Sequence, residues 1–159
     1  GLFAILAAAQ VRFVLVGGLA LVLHGLDRLT ADVDLVIDLS AESARAAVQA
    51  LTAAGYRPLA PVDPIELADP ARRLEWQTVR NMQVFSFWDS TNTRPTLDVL
   101  LAPSVPFEDL WAAATMMDIA GYQVRAASVE HLIRLKTAAG RAQDLADVER
   151  LRSKLEADQ

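Results

Sequence analysis

Apolar residues along this chain change rhythm from segment to segment, and each change predicts an element. Leu2 to Gln10 reads as a short helix, and Arg12 to Val16 as a short, largely β-branched strand that stops at Gly17-Gly18. Helix resumes over Leu19 to His24 and ends at Gly25. Thr30 to Asp38 alternates apolar and polar positions, the period of a strand. Ser40 then stands as N-cap of a helix over about 41 to 54, with Glu42 in its first turn and Gly55 at its close. The stretch "YRPLAPVDPIELADPARRLEW" holds four of the seven prolines and has little periodicity, so it reads as a strand entry and an irregular excursion of the kind that faces substrates. Strand-like runs follow at Val79 to Trp88 and Thr96 to Leu101, split by the turn-rich "DSTNTRP". Pro106 to Ala114 reads as helix, Asp118 to Arg125 as a strand pair or one long strand, and Ser128 caps a helix running to Ala139. Gly140 separates that helix from a last one, about 142 to 156. This order predicts an α/β (α+β) fold with a small mixed β-sheet flanked by helices and a C-terminal helical pair.

Composition narrows the class. Residues 1–159 fit one domain, with about 128–156 as its C-terminal helical segment. With 53% hydrophobic and 22% charged residues, the chain reads as a soluble globular protein rather than a disordered one. A net charge of -5 disfavours a broad nucleic-acid surface, which needs clustered Lys and Arg. The absence of cysteine excludes disulfides, thiolate metal sites and a Cys nucleophile, and the default compartment is cytoplasmic. The apolar N-terminal stretch contains Gln10 and Arg12 and is broken by the diglycine, and its longest apolar run, Phe13 to Leu23, is too short for ~30 Å of hydrocarbon, so no membrane association is expected.

The chemistry lies in the carboxylates. On the strand "ADVDLVID", Val33, Leu35 and Ile37 point one way and Asp32 and Asp34 the other, about 6.5 to 7 Å apart along the strand, near enough to converge on a hard cation. The plainer alternative is a strand with a wet polar face. Gly17-Gly18 between strand and helix lets backbone approach a ligand closely and offers N–H groups to an anion, unless it is an ordinary tight turn. Asp98, in "TLDVLL", is an acid within an apolar strand and asks for a partner; a bond to a neighbouring loop would also satisfy it. Three acids facing an anion-binding turn suit phosphoryl or nucleotidyl transfer.

Gly17-Gly18, thirteen intervening residues, Asp32-x-Asp34 and a later strand Asp98 resemble the polymerase-β-type nucleotidyltransferase superfamily. "GGLALVLHGLDRLTADVDLVID" is similar to its bacterial branch of AbiEii-type toxins and small nucleotidyltransferases, and "LIRLKTAAGRAQDLADVERL" to that branch's later segment. The resemblance implies a metal-dependent transfer of a nucleoside monophosphate from an NTP to a hydroxyl acceptor. Gly17 and Gly18 would hold the phosphates; Asp32, Asp34 and Asp98 would bind Mg²⁺ or Mn²⁺, with Asp98 also helping to activate the hydroxyl; Arg28 and Thr30 would shape the site. Acceptors consistent with the resemblance are a tRNA 3′ end, a protein or a small molecule, and a toxin role would add an antitoxin partner. A non-catalytic nucleotide- or partner-binding module on the same fold is the alternative.

The tail can also be read on its own. Val129, Leu132, Ile133 and Lys136 follow helical spacing, so the lysine continues an apolar stripe and must be paired, snorkelling or functional. Asp144 shares the inward stripe of the last helix with Val148, Leu151 and Leu155. Either Lys136 pairs with Asp144, or it reaches a triphosphate while Asp144 or Asp147 orients it or Arg141. His24 reads as a satisfied helix-end side chain.

Overall fold

The computed structural model describes residues 1–159. Helix α1 (Leu2–Ala8) leads into β1 (Phe13–Val16), α2 (Gly17–Leu23), β2 (Val33–Ile37), α3 (Ala41–Ala53) and β3 (Tyr56–Pro58). A short 3-10 helix (Pro64–Ala68) and α4 (Pro70–Thr78) precede β4 (Val84–Asp89) and β5 (Leu97–Leu100). The chain closes with α5 (Phe107–Ala113), β6 (Thr115–Ile119), β7 (Tyr122–Ala126), α6 (Val129–Ala139) and α7 (Ala142–Ala157). Seven strands form one mixed sheet in the order β3-β4-β5-β2-β1-β7-β6.

Alternation along the strands sorts the two faces. On β4, Phe85, Phe87 and Asp89 are buried while Val84, Ser86 and Trp88 point to the opposite face. Trp76 of α4 stacks on Phe85 with ring centroids 5.1 Å apart, which places α4 against the Phe85 side. Such an aromatic pair adds about 0.5–1.5 kcal/mol to its area burial. The core beneath is one cluster of 31 buried residues that includes Leu35, Val99, Leu51 and Leu132.

Several elements differ from their sequence reading, each for a local reason. The 57–76 excursion is not wholly irregular: Asp63 accepts from the Ile65 amide at 3.1 Å and Asp69 from the Ala71 amide at 2.9 Å, so each caps a helix that starts with proline. Helix α4 runs to Thr78 with Val79 as its C-cap, and Asn81 turns the chain with φ 51°, so β4 starts at Val84 rather than Val79. Ser40 holds the N-cap position of α3 without a side-chain cap bond; its N–H donates instead to Asp38 Oδ1 at 3.0 Å. Ser128 does cap α6, accepting from His131 N–H at 3.1 Å. Residues 115–126 form a strand pair, turned by Ala120 and Gly121, both at positive φ.

Candidate active site

The diglycine bend is built for close approach. Gly17 adopts φ +67°, the left-handed region that only glycine enters freely, and α2 begins at that residue instead of Leu19. A Cβ at Gly17 would drive into the Asp34 carboxylate, and one at Gly18 would lie 2.8 Å from Thr30 Oγ1. The bend therefore packs directly on the acid of β2 and on the loop before it.

Strand pairing brings the acids together. Val16 opposes Asp34 across the antiparallel β1–β2 pair, and Asp34 opposes Asp98 across the parallel β2–β5 pair. Adjacent strands lie about 4.8 Å apart, so the Asp34 and Asp98 side chains leave one face of the sheet side by side. Ser86, opposite Asp98 on β4, donates from Oγ to Asp98 Oδ1 at 2.6 Å. Asp32 is exposed and sits in the bend just before β2, because the strand starts at Val33 rather than Thr30. Its distance from Asp34 is therefore set by that bend, not by strand pleating. No three His, Asp or Glu side chains converge tightly enough to hold a metal ion in this arrangement. Burial, aided by repulsion from Asp98 and then Asp32, pushes the Asp34 carboxyl up to about 6; Lys136 and the Gly18 N–H act in the opposite direction.

A chain of alternating charges closes the other side. Arg28, in the loop after α2, pairs with Asp147 of α7. Asp147 lies 3.1 Å from Lys136 Nζ, Lys136 lies 3.2 Å from Asp144, and Asp144 accepts from Arg141 Nε at 2.7 Å. The carboxylates of Asp144 and Asp147 are buried, so removing a partner would strand a desolvated charge at about 3–5 kcal/mol. Burial alone would raise the Asp144 carboxyl, but hydrogen bonds from Arg141 and Lys136 outweigh it and hold it below the usual range. Lys136 is thus paired, to two aspartates rather than one. Three cations share two anions here, and the surplus positive charge faces Asp34.

Part of this arrangement lines one cleft of about 870 Å³. Gly17, Gly18, Arg28, Thr30, Asp32 and Asp34 form one part of its wall, and Lys136, Arg141 and Asp144 another. Leu100, Pro103, Leu132 and Leu135 supply an apolar side. Asp98 is not on that wall; it stands beside Asp34 under the Ser86 hydroxyl. Ser86 went unremarked in the sequence because only the strand register, which one serine does not announce, places it opposite Asp98. His24 Nε2 lies 2.8 Å from the Ala127 carbonyl, a satisfied helix-end side chain as expected.

Comparison with known proteins follows the same lines. The family model described as "Nucleotidyl transferase AbiEii toxin, Type IV TA system" matches residues 2–159. Among curated proteins none matches the sequence. Among solved structures, the lincosamide antibiotic adenylyltransferase LnuA in its lincomycin-bound form superposes with TM-score 0.60 at 16% identity, over 96% of this chain and 92% of that one. The antibiotic-resistance factor ANT(2'')-Ia gives TM-score 0.59 at 17% identity, over 99% and 84%. An antigenic nucleotidyltransferase-like protein from Paracoccidioides brasiliensis gives 0.51 at 18%, over 98% and 75%. At these identities the solved structures establish a shared fold.

Proposed function

Because the chain belongs to the AbiEii nucleotidyl transferase family, we propose that its cleft moves a nucleoside monophosphate from a nucleoside triphosphate to a hydroxyl acceptor. The observation that carries this reading is the register of Asp34 against Asp98 beside the diglycine bend. The donor's phosphates lie against the Gly17-Gly18 backbone, within reach of the charge that Arg28 and Lys136 bring to the cleft. The acceptor oxygen bonds to the α-phosphorus as the bond from that phosphorus to the pyrophosphate oxygen breaks. Pyrophosphate leaves with the electron pair, and the hydroxyl proton passes to the Asp98 carboxylate and on to solvent.

Asp34 and Asp98, neighbours across the β2–β5 pair, would supply two oxygen donors to Mg²⁺ or Mn²⁺, and Asp32 would have to swing in from the bend before β2 to complete the set. All are hard oxygen donors, and a carboxyl pushed up to about 6 by burial and two neighbouring acids is a group that a cation relieves. Such an ion neutralises charge that develops on the transferring phosphoryl group. The acceptor is a tRNA 3′ end, a protein hydroxyl or a small molecule. The family's toxin description favours an antitoxin as partner, and the proposal places both in the cytoplasm. No helix is long and apolar enough to cross a membrane.

Transfer from α-labelled nucleoside triphosphates into cell lysate, with Mg²⁺ or Mn²⁺, tests the reading. Label transfer should fall by about 10³-fold or more in Asp34→Asn and Asp98→Asn while both variants keep a cooperative unfolding transition. Triphosphate binding without metal, combined with no transfer under any condition, would instead mark a non-catalytic binding module.

A further inference from the structure

The sheet places two of the three acids and leaves the third to a loop. Asp34 and Asp98 are held by the β2–β5 register, while Asp32 lies exposed before β2, and no three acidic side chains converge on one point. Whatever sets the position of Asp32 therefore decides whether a cation finds its third donor. No backbone–backbone hydrogen bond involves residues 28–32, so side chains alone hold this segment.

Two of those side chains reach the diglycine bend. A Cβ at Gly18 would lie 2.8 Å from Thr30 Oγ1 and 3.6 Å from Arg28 Nε, while Leu29 between them is turned out and 97% exposed. The Arg28 guanidinium pairs with Asp147, which also has Lys136 at 3.1 Å. An anion seated at the bend can thus draw Arg28 away without stranding a buried carboxylate, because Lys136 stays. The Thr30 hydroxyl donates to the Asp32 carbonyl at 3.2 Å. Thr30 therefore touches the bend on one side and grips Asp32 on the other.

We propose that residues 28–32 couple the donor's phosphates to the third carboxylate, with Thr30 as the positioning residue. A phosphate at Gly17-Gly18 competes with Asp147 for Arg28, the segment turns with Arg28, and the Thr30 hydroxyl carries Asp32 toward Asp34. The phosphate meets Arg28 only in the turned arrangement, and that differential contact drives the shift. Triphosphate and divalent cation then strengthen each other's binding through the protein, and by the same factor in both directions. This rests on the nucleotidyl-transfer reading above and adds the order in which its site is completed.

Fluorescence anisotropy of the four mant-labelled nucleoside triphosphates on the full chain tests it, with Kd measured once in EDTA and once in saturating Mn²⁺. Direct contact between phosphate and cation contributes alike to every variant, so a change in the ratio of the two Kd values belongs to the protein. That ratio should fall about fivefold or more in Thr30→Val and return in Thr30→Ser. Kd in EDTA should stay unchanged in both, because the Thr30 proton is spent on Asp32 and not on phosphate. Asp32→Asn leaves the segment's contacts in place and should lose the same share of the ratio, which keeps the test decisive if Thr30→Val does not fold. A natural ratio in Thr30→Val or Asp32→Asn, or no recovery in Thr30→Ser, would overturn the coupling and leave the transferase reading standing. Equal weakening in EDTA and in Mn²⁺ would make Thr30 a mere wall of the phosphate site and overturn it too. If none of the four nucleotides binds in either condition, the transferase reading fails, and this proposal with it.

Discussion

Asp89 ends β4 with its carboxylate turned to the α3 side of the sheet, where it accepts from the amides of Thr91, Thr93 and Arg94, the hydroxyls of Thr91 and Thr93, and the Arg94 guanidinium. Asp34, two strands away on the cleft face, is flanked by two further acids and engages in no ion pair. Hydrogen bonds from Arg94 and Thr91 hold the Asp89 carboxyl far below the usual carboxylate range, while burial and repulsion push Asp34 up to about 6. One sheet thus carries a carboxylate whose every lone pair has a donor and another whose burial and neighbouring acids outweigh the relief from Lys136 and the Gly18 N–H. The first ties the loop "DSTNTRP" to α3, since Arg94 also donates to the Ala54 carbonyl and stacks over Tyr56 at 5.0 Å. The second is costly to the fold, and such a cost persists where a ligand meets it.

Asp89→Ala should break this contrast most visibly. It leaves Arg94, three backbone amides and two hydroxyls without their acceptor, and Tm should drop by about 10 °C or more. The sign with pH follows from the depressed carboxyl: its stabilisation is complete above the unfolded-chain value near 3.8 and is lost as pH falls below it. Thermal unfolding of the variant and the natural chain should therefore converge in acid and diverge toward neutrality. A Tm difference that stayed constant across pH 2 to 7 would show that packing, not charge, holds this loop.

Asp34→Asn should do the reverse. Between about pH 4 and 6 the folded chain binds a proton at Asp34 that the unfolded chain has released, so stability falls as pH rises through that window and is level above it. The displacement from 3.8 to about 6 corresponds to roughly 3 kcal/mol, halved here for access of water through the cleft. The variant should match the natural chain near pH 4 and exceed its Tm by about 3–6 °C at pH 7. Mg²⁺ should raise the natural chain's Tm at pH 7 and leave the variant unmoved. An Asn variant less stable at pH 7 would mean that Asp34 supports the fold, and the contrast with Asp89 would collapse.

Why one of these sites is legible in the amino-acid sequence and the other is not comes down to range. The diglycine, the D-x-D and the apolar alternation are local, so the sheet, the bend and the candidacy of Asp32, Asp34 and Asp98 emerge from spacing and resemblance. Capping aspartates Asp63 and Asp69, each followed by proline, are also local signals of helix, but two short helices broken by prolines leave too little periodicity to outweigh them. Asp32 looked like a strand residue because alternation extends past the last ladder bond, Val33 N–H to Thr96 O at 2.9 Å. The pairing of Asp34 with Asp98, the placing of Ser86 opposite Asp98, and the second partner of Lys136 are tertiary facts. Each depends on which strand or helix lies beside which, and alternation within a single strand leaves that open.

The finest test compares one hydroxyl on each side. Thr91 Oγ1 lies 2.7 and 2.8 Å from the two Asp89 oxygens, and Ser86 Oγ lies 2.6 Å from Asp98 Oδ1. Both donate to a carboxylate, so bond strength alone would make Thr91→Val and Ser86→Ala alike. Their surroundings separate them. Asp89 is sealed from solvent, so the oxygen that Thr91→Val deprives finds no water, although the amides and Arg94 still serve it; Tm should fall by about 3 °C. Asp98 is only partly buried, so water replaces the lost serine hydroxyl; Tm should move by no more than about 1 °C, while transfer falls several-fold because the carboxylate proposed to take the acceptor proton is no longer held in place. Equal Tm losses in the two variants would mean that Ser86 serves the fold as Thr91 does, and that Asp98 is a structural acid like Asp89.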